Sequence, residues 1–246
     1  MTFALSHPRR SGRHPRVRVT EGAMWPGTAS ELARVQLELA GARPPPWLAP
    51  GPRSLAAACF ICFARGGSYR AWAAAALVRG DRRVVGTAAV GGLVEAGYEP
   101  GLLALREGSL LEAAVRALPE QPEVVIANAT GRDHPRGAGL ALHLGAVLDL
   151  PSIGVTDRPL LATGFEPGHE PGATSPLLHE GMEVARLLRT RAGARPLVVH
   201  PGWRTDLDTA VSVVMATIRR ARTPEPLRHA RRTARRARAA QEQRSR

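Results

Sequence analysis

The chain contains no lysine; all 34 of its Lys+Arg residues are arginine. A compositional bias toward Arg, Ala, Gly and Pro accounts for that absence, but not for the formal net charge of +13. The planar arginine fork matches phosphate oxygens, so a polyanionic partner is expected. Cysteine is nearly absent too, with Cys59 and Cys62 in one apolar run. A disulfide between them would strain an extended strand, and a zinc site needs a second pair of ligands. Buried free thiols in a reducing compartment are the expectation. No apolar run reaches the ~18–20 residues of a membrane span. The opening "MTFALSHPRRSGRHPRVRV" lacks the long apolar core of a secretory signal. A cytoplasmic protein with no membrane partner, and a monomeric chain, are therefore expected.

With 246 residues, 44% of them hydrophobic, the chain can bury a core as one large domain or two small ones. Residues 1–22, rich in Arg, Pro and Ser, read as a disordered basic segment. The run "SELARVQLELAGAR" opens on a capping residue and repeats Leu32, Val35 and Leu39 at helical spacing, and "ARPPPWLAPGPR" is a proline-rich connector. Three strands follow, "SLAAACFICF", "RAWAAAALV" and "RRVVGTAAVGGLV", divided by the turns "ARGGSY" and "RGD" into a meander. Helix, strand, helix and strand then alternate over "PGLLALREGSLLEAAVRAL", "EVVIAN", "PRGAGLALHLGAVL" and "PSIGV". Residues 156–181 read as a loop, "MEVARLLRT" with "RPLVVH" as a hairpin, and "DLDTAVSVVMATIRRAR" as an amphipathic helix. Residues 230–246 form a basic helix or solvated tail, which leaves 23–229 as the folded domain. A meander followed by alternation predicts an α/β class, a mixed sheet with helices on both faces.

The turn after "EVVIAN" gathers Asn128, Thr130, Asp133, His134 and Arg136 at the end of a buried strand, where α/β enzymes place their chemistry. Several segments resemble the endonuclease V family, the deoxyinosine-directed nucleases. "GYEPGLLALREGSLL" is similar to that family's Pro-Tyr-Ile-Pro-Gly-Leu-Leu…Arg-Glu-Gly segment, and "HPRGAGLALHLGAVLDLPSIGV" to its His-Pro-Arg-Arg-x-Gly run. "RPLVVHPGW" and "RTPEPLRHAR" resemble two later segments, and the order is intact from about Trp25 to Arg231. The resemblance implies a ribonuclease-H-like fold. It implies cleavage of a phosphodiester bond 3′ of a deaminated base in DNA or RNA, using a divalent cation, magnesium, held by carboxylates.

Carried over residue by residue, the family's glutamate is Glu107. Its first-strand aspartate falls on Phe60, and "AACFICFARGGSY" holds no acid at all. Its turn aspartate falls on Asn128, its lysine on Asp157 and a later histidine on Trp203. Among binding positions, Tyr98 matches the aromatic of a strand-separating wedge, where stacking would contribute ~1–3 kcal/mol per base. Pro100, Gly101 and Gly131 match positions near the base, and His134 and Arg136 match positions near the scissile bond. Glu107 and His134 are thus the candidate catalytic residues, with Glu107 the sole candidate metal ligand.

One carboxylate does not offset the dehydration of a divalent cation. Losing a metal-activated nucleophile forfeits ~10³-fold or more in rate. The primary expectation is a family member that binds nucleic acid with cleavage lost or strongly reduced, a pseudoenzyme. The alternatives are an active magnesium-dependent endonuclease with ligands relocated to Asp133, Asp149 or Asp157, and a non-catalytic interaction protein that no longer binds nucleic acid.

Overall fold

Apolar runs separated by short polar turns dictate the first half of the architecture, and the computed structural model, which describes residues 25–49, 54–65, 69–80, 83–94, 99 and 101–244, shows it. Strands β1 (Ala56–Phe63), β2 (Arg70–Val78) and β3 (Val84–Leu93) pair antiparallel in chain order. Alanine is a weak strand former, but β2 is buried on both faces, and its small side chains let helices approach from either side. Helix α2 (Leu103–Arg116) crosses over to β4 (Val124–Ala127), which lies parallel to β1. Helix α3 (Leu140–Leu148) crosses to β5 (Ser152–Thr156), parallel to β4. Strands β6 (Thr174–His179), β7 (Met182–Leu188) and β8 (Leu197–Pro201) complete one eight-stranded sheet of order β3-β2-β1-β4-β5-β8-β7-β6.

The sequence expectation of a loop over 156–181 is corrected by β6. Pro176 sits in that strand because β6 is the sheet edge, where no ladder donor is demanded of it. Glu180 and Gly181, both at positive φ, make the two-residue turn into β7.

Helices cover both faces. Cys59, Ile61, Val125 and Ala127 point toward Ala104 and Leu111 of α2 and Leu144 of α3. On the opposite face Ala58, Ile126 and Val199 meet Val213 and Val214 of α4 (Leu207–Thr217), while Cys62, Trp72 and Ala74 meet Ala234 of α5 (Glu225–Arg244). Residues 230–244 of the expected basic helix or tail therefore belong to a 20-residue helix laid on the sheet, and the expected boundary at 229/230 falls inside it. Both thiols are buried and free. Helix α1 (Ala29–Gly41) is capped by Thr28, ahead of the Ser30 that opens its run, through a reciprocal box with Glu31. The N-terminal segment 1–22 lies outside the described residues. No described helix is long and apolar enough to cross a membrane.

Candidate nucleic-acid and metal site

Strand β4 ends level with Cys59 of β1 and Gly154 of β5, and the candidate turn leaves it there, between two strands that run on. Cys59 of β1 is level with Ala127, so Phe60 stands level with Asn128. Strand alternation then decides what faces the glutamate of α2. Cys59, Ile61 and Phe63 share the α2 face. Glu107 lies close enough to the Cys59 thiol for its charge to reinforce burial, which pushes that thiol up to about 12. Phe60 points the other way, with the Arg231 guanidinium 5.0 Å above its ring. The structure therefore does not bring Phe60 and Glu107 together. The β1 residues on the α2 face, Cys59, Ile61 and Phe63, include no acid. A one-residue slip in motif counting changes the face of a strand, while the absence of an acid holds for either register.

Glu107 is largely buried on α2. Burial raises its carboxyl to about 7, partly offset by neighbouring Arg106. Arg106 itself lies 3.8 Å over the ring of Phe63. Asn128 is exposed at the strand end. Asp133 is fully buried, and its carboxylate accepts from the backbone N–H groups of Leu160, Leu161 and Ala162 at 2.7, 2.8 and 2.9 Å. Those bonds fasten the 160–162 loop to the turn and hold Asp133 where it is. Asp157 pairs with Arg222 at 2.8 Å, and Asp149 ends α3 in a left-handed conformation. Relocated ligands are thus not assembled: among the described residues no group of three or more His, Cys, Asp or Glu side chains could hold a metal ion.

His134 and Arg136 converge on the carbonyl of Gly101, which sits at φ 82°. Arg136 Nη2 donates to that oxygen at 3.0 Å and His134 Nε2 at 3.3 Å. The Arg136 backbone N–H donates to His134 Nδ1 at 3.2 Å, which fixes the neutral Nε2–H tautomer. Burial, with help from Arg136, lowers His134 to about 4, in keeping with that neutral form. Both ring nitrogens are engaged within the protein, so His134 holds the Gly101 carbonyl. Tyr98 and Pro100 of that segment lie outside the described residues. Gly131 is buried against β8; a Cβ there would meet the Pro201 carbonyl oxygen at 2.1 Å. Trp203 is packed with Leu39, Leu142 and Ala146 in the core.

Three contributors escape a reading of the sequence alone. Gln36 of α1 donates to the Gly101 carbonyl at 3.1 Å and accepts from Arg136 Nε at 2.6 Å. Its signal is a polar residue in the buried stripe of α1, between Leu32 and Leu39. His200, fully buried and held near 4 by burial, meets the Thr156 hydroxyl at 2.9 Å. Arg231 over Phe60 has no local signal, since its partner is far away in sequence.

The meander, the parallel pairs β1–β4 and β4–β5, and the helices on both faces define the class: a ribonuclease-H-like fold of the kind used by nucleases. Residues 52–232 match the family model described as endonuclease V. An endonuclease V of Methanopyrus kandleri is 43% identical over 164 residues, 67% of this chain and 70% of its own. One from Streptomyces avermitilis is 37% identical over 218 residues, 87% of this chain and 93% of its own, and its crystal structure superposes with a TM-score of 0.80 over 87% of this chain and 94% of that one. The Ciona intestinalis endonuclease V, solved with a 24mer DNA containing an inosine, shares the fold at TM-score 0.70 and 18% identity over 85% of this chain and 96% of that one. The chain belongs to the endonuclease V family of metal-dependent nucleases.

Proposed function

We propose that this chain binds deaminated, inosine-containing nucleic acid through the family scaffold and has lost, or nearly lost, metal-dependent cleavage. The carrying observation is the donor set at the end of β4, beside β1. Glu107 faces Cys59 and Ile61 where a second carboxylate is needed, and the turn offers Asn128. A hard divalent cation requires several anionic oxygens, and thiol, alkyl and amide groups do not supply them. The residues present do not fit the family's metal. The Gln36, His134 and Arg136 network fixes the Gly101 carbonyl beside the turn, which favours a binding role for this end of the sheet. The Ciona relative holds an inosine-containing DNA on the same fold, which supports the same substrate class here.

Restoring carboxylates tests the reading. Ile61→Asp with Asn128→Asp, or Cys59→Asp with Asn128→Asp, places new charge on the face of Glu107. Calorimetric titration with manganese should show affinity at least ~10-fold above that of the starting chain, whereas Phe60→Asp with Asn128→Asp should gain little. Strong manganese binding by the unaltered chain would overturn the proposal.

A further inference from the structure

We infer that α5 carries a second docking surface, an arginine cleft on the sheet face opposite Glu107 that holds the phosphate backbone of a nucleic-acid strand. This rests on the nucleic-acid reading above and adds a surface to it. The cleft has a volume of about 510 Å³ and is lined by Arg228, His229, Arg231, Arg232, Arg235 and Arg236, with Glu225 its acidic member. That carboxylate is already engaged, by Arg228 at 2.8 Å and His229 at 3.7 Å. Among the described residues no carboxylate pairs with Arg231, Arg232, Arg235 or Arg236.

Such a helix face works against its own stability. Arg228 and Arg232, Arg231 and Arg235, and Arg232 and Arg236 are like charges at i,i+4 spacing, which destabilises a helix. Folding does not require them, since α5 is anchored by Leu227, Ala230 and Ala234 on the sheet. A polyanion turns the repulsion into attraction. Arg231 borders the cleft on the sheet side: its guanidinium lies over Phe60, and its buried Nε has no partner among the described residues. Asp157 and Arg222, beside the end of β5, both act on its charge. From Arg228 to Arg236 the helix rises ~12 Å, the length of three to four phosphates on one strand. A membrane surface fits less well, because the apolar face of α5 is spent on the sheet and none is left to insert.

The experiment follows binding of a labelled single-stranded DNA with one deoxyinosine from about 50 to 300 mM NaCl. Arg232, Arg235 and Arg236 are exposed, and glutamine keeps their helix propensity, so R232Q/R235Q/R236Q should fold. Its salt slope, log K against log salt, should flatten by ~2 and its Kd should weaken at least ~10-fold near 100 mM. The lysine triple R232K/R235K/R236K should keep the wild-type slope. An unchanged slope in the glutamine variant, with the wild type binding DNA, overturns the α5 surface alone. A wild type that ignores DNA, or binds phosphatidylserine vesicles instead, overturns both this surface and the reading beneath it.

Discussion

Glu107 and the histidines His134 and His200 pull stability in opposite directions with pH. Burial raises Glu107 from 4.5 to about 7, so between those values the folded chain keeps a proton that the unfolded chain has released. The contribution of Glu107 therefore falls as pH rises through that window. Burial lowers both histidines from 6.5 to about 4, so stability linked to them is lost as pH falls from 6.5 toward 4. Two histidines outweigh one carboxyl, and net stability should drop on acidification from about 6.5 to 4.5. Glu107→Gln should steepen that drop and raise stability near pH 8 by roughly 1–3 kcal/mol, as read by urea unfolding at stepped pH; an unaltered profile would refute the role given to its burial. At this scale the sequence shows which residue types stand in the motif and which acids are missing. It does not show facing. Counting along a motif puts Phe60 in the first-strand position, yet its ring lies under Arg231 with the sheet between it and Glu107. Gln36 and Gly101 are 65 residues apart, so no local pattern announces their bond.

Among the elements, α2 packs closely beside the site. A Cβ on Gly108 would lie 2.2 Å from ring carbons of Trp25, whose Nε1 donates to Glu112 at 2.6 Å on the next turn of the same helix. Gly108→Ala would gain ~1 kcal/mol of helix propensity and lose ~1–3 kcal/mol to overlap. Trp25 is anchored by Glu112 and lies 4.5 Å from the His143 ring at a tilt of 31°, so it has little room to yield. Net destabilisation of about 1 kcal/mol is expected, with altered tryptophan fluorescence; a raised Tm would show that the ring moves freely. Most elements are legible in the sequence, because β1, β2, β4 and the helices carry long apolar or periodic runs. Strand β6 is not: its Pro176 and exposed alternating positions look like loop, and only pairing with β7 reveals an edge strand. Helix α5 reads equally as helix or tail because its apolar stripe is a thin line of Leu and Ala among arginines.

On the scale of the whole molecule, the family fold is present, the described residues hold no group of three or more potential metal ligands, and arginine is abundant. The eight-stranded sheet places the turn after β4 between β1 and β5, and α5 lays a row of guanidinium groups on the opposite face of the meander. Such a molecule should attract nucleic acid and leave its phosphodiester bonds uncut. The most direct measurement incubates the purified full chain with inosine-containing single- and double-stranded DNA and RNA in magnesium or manganese, scoring bound and cleaved fractions in the same tubes. The Streptomyces avermitilis relative serves as reference. The prediction is salt-dependent binding with cleavage at least ~10³-fold slower than the reference. Cleavage at a rate comparable to the reference would contradict it.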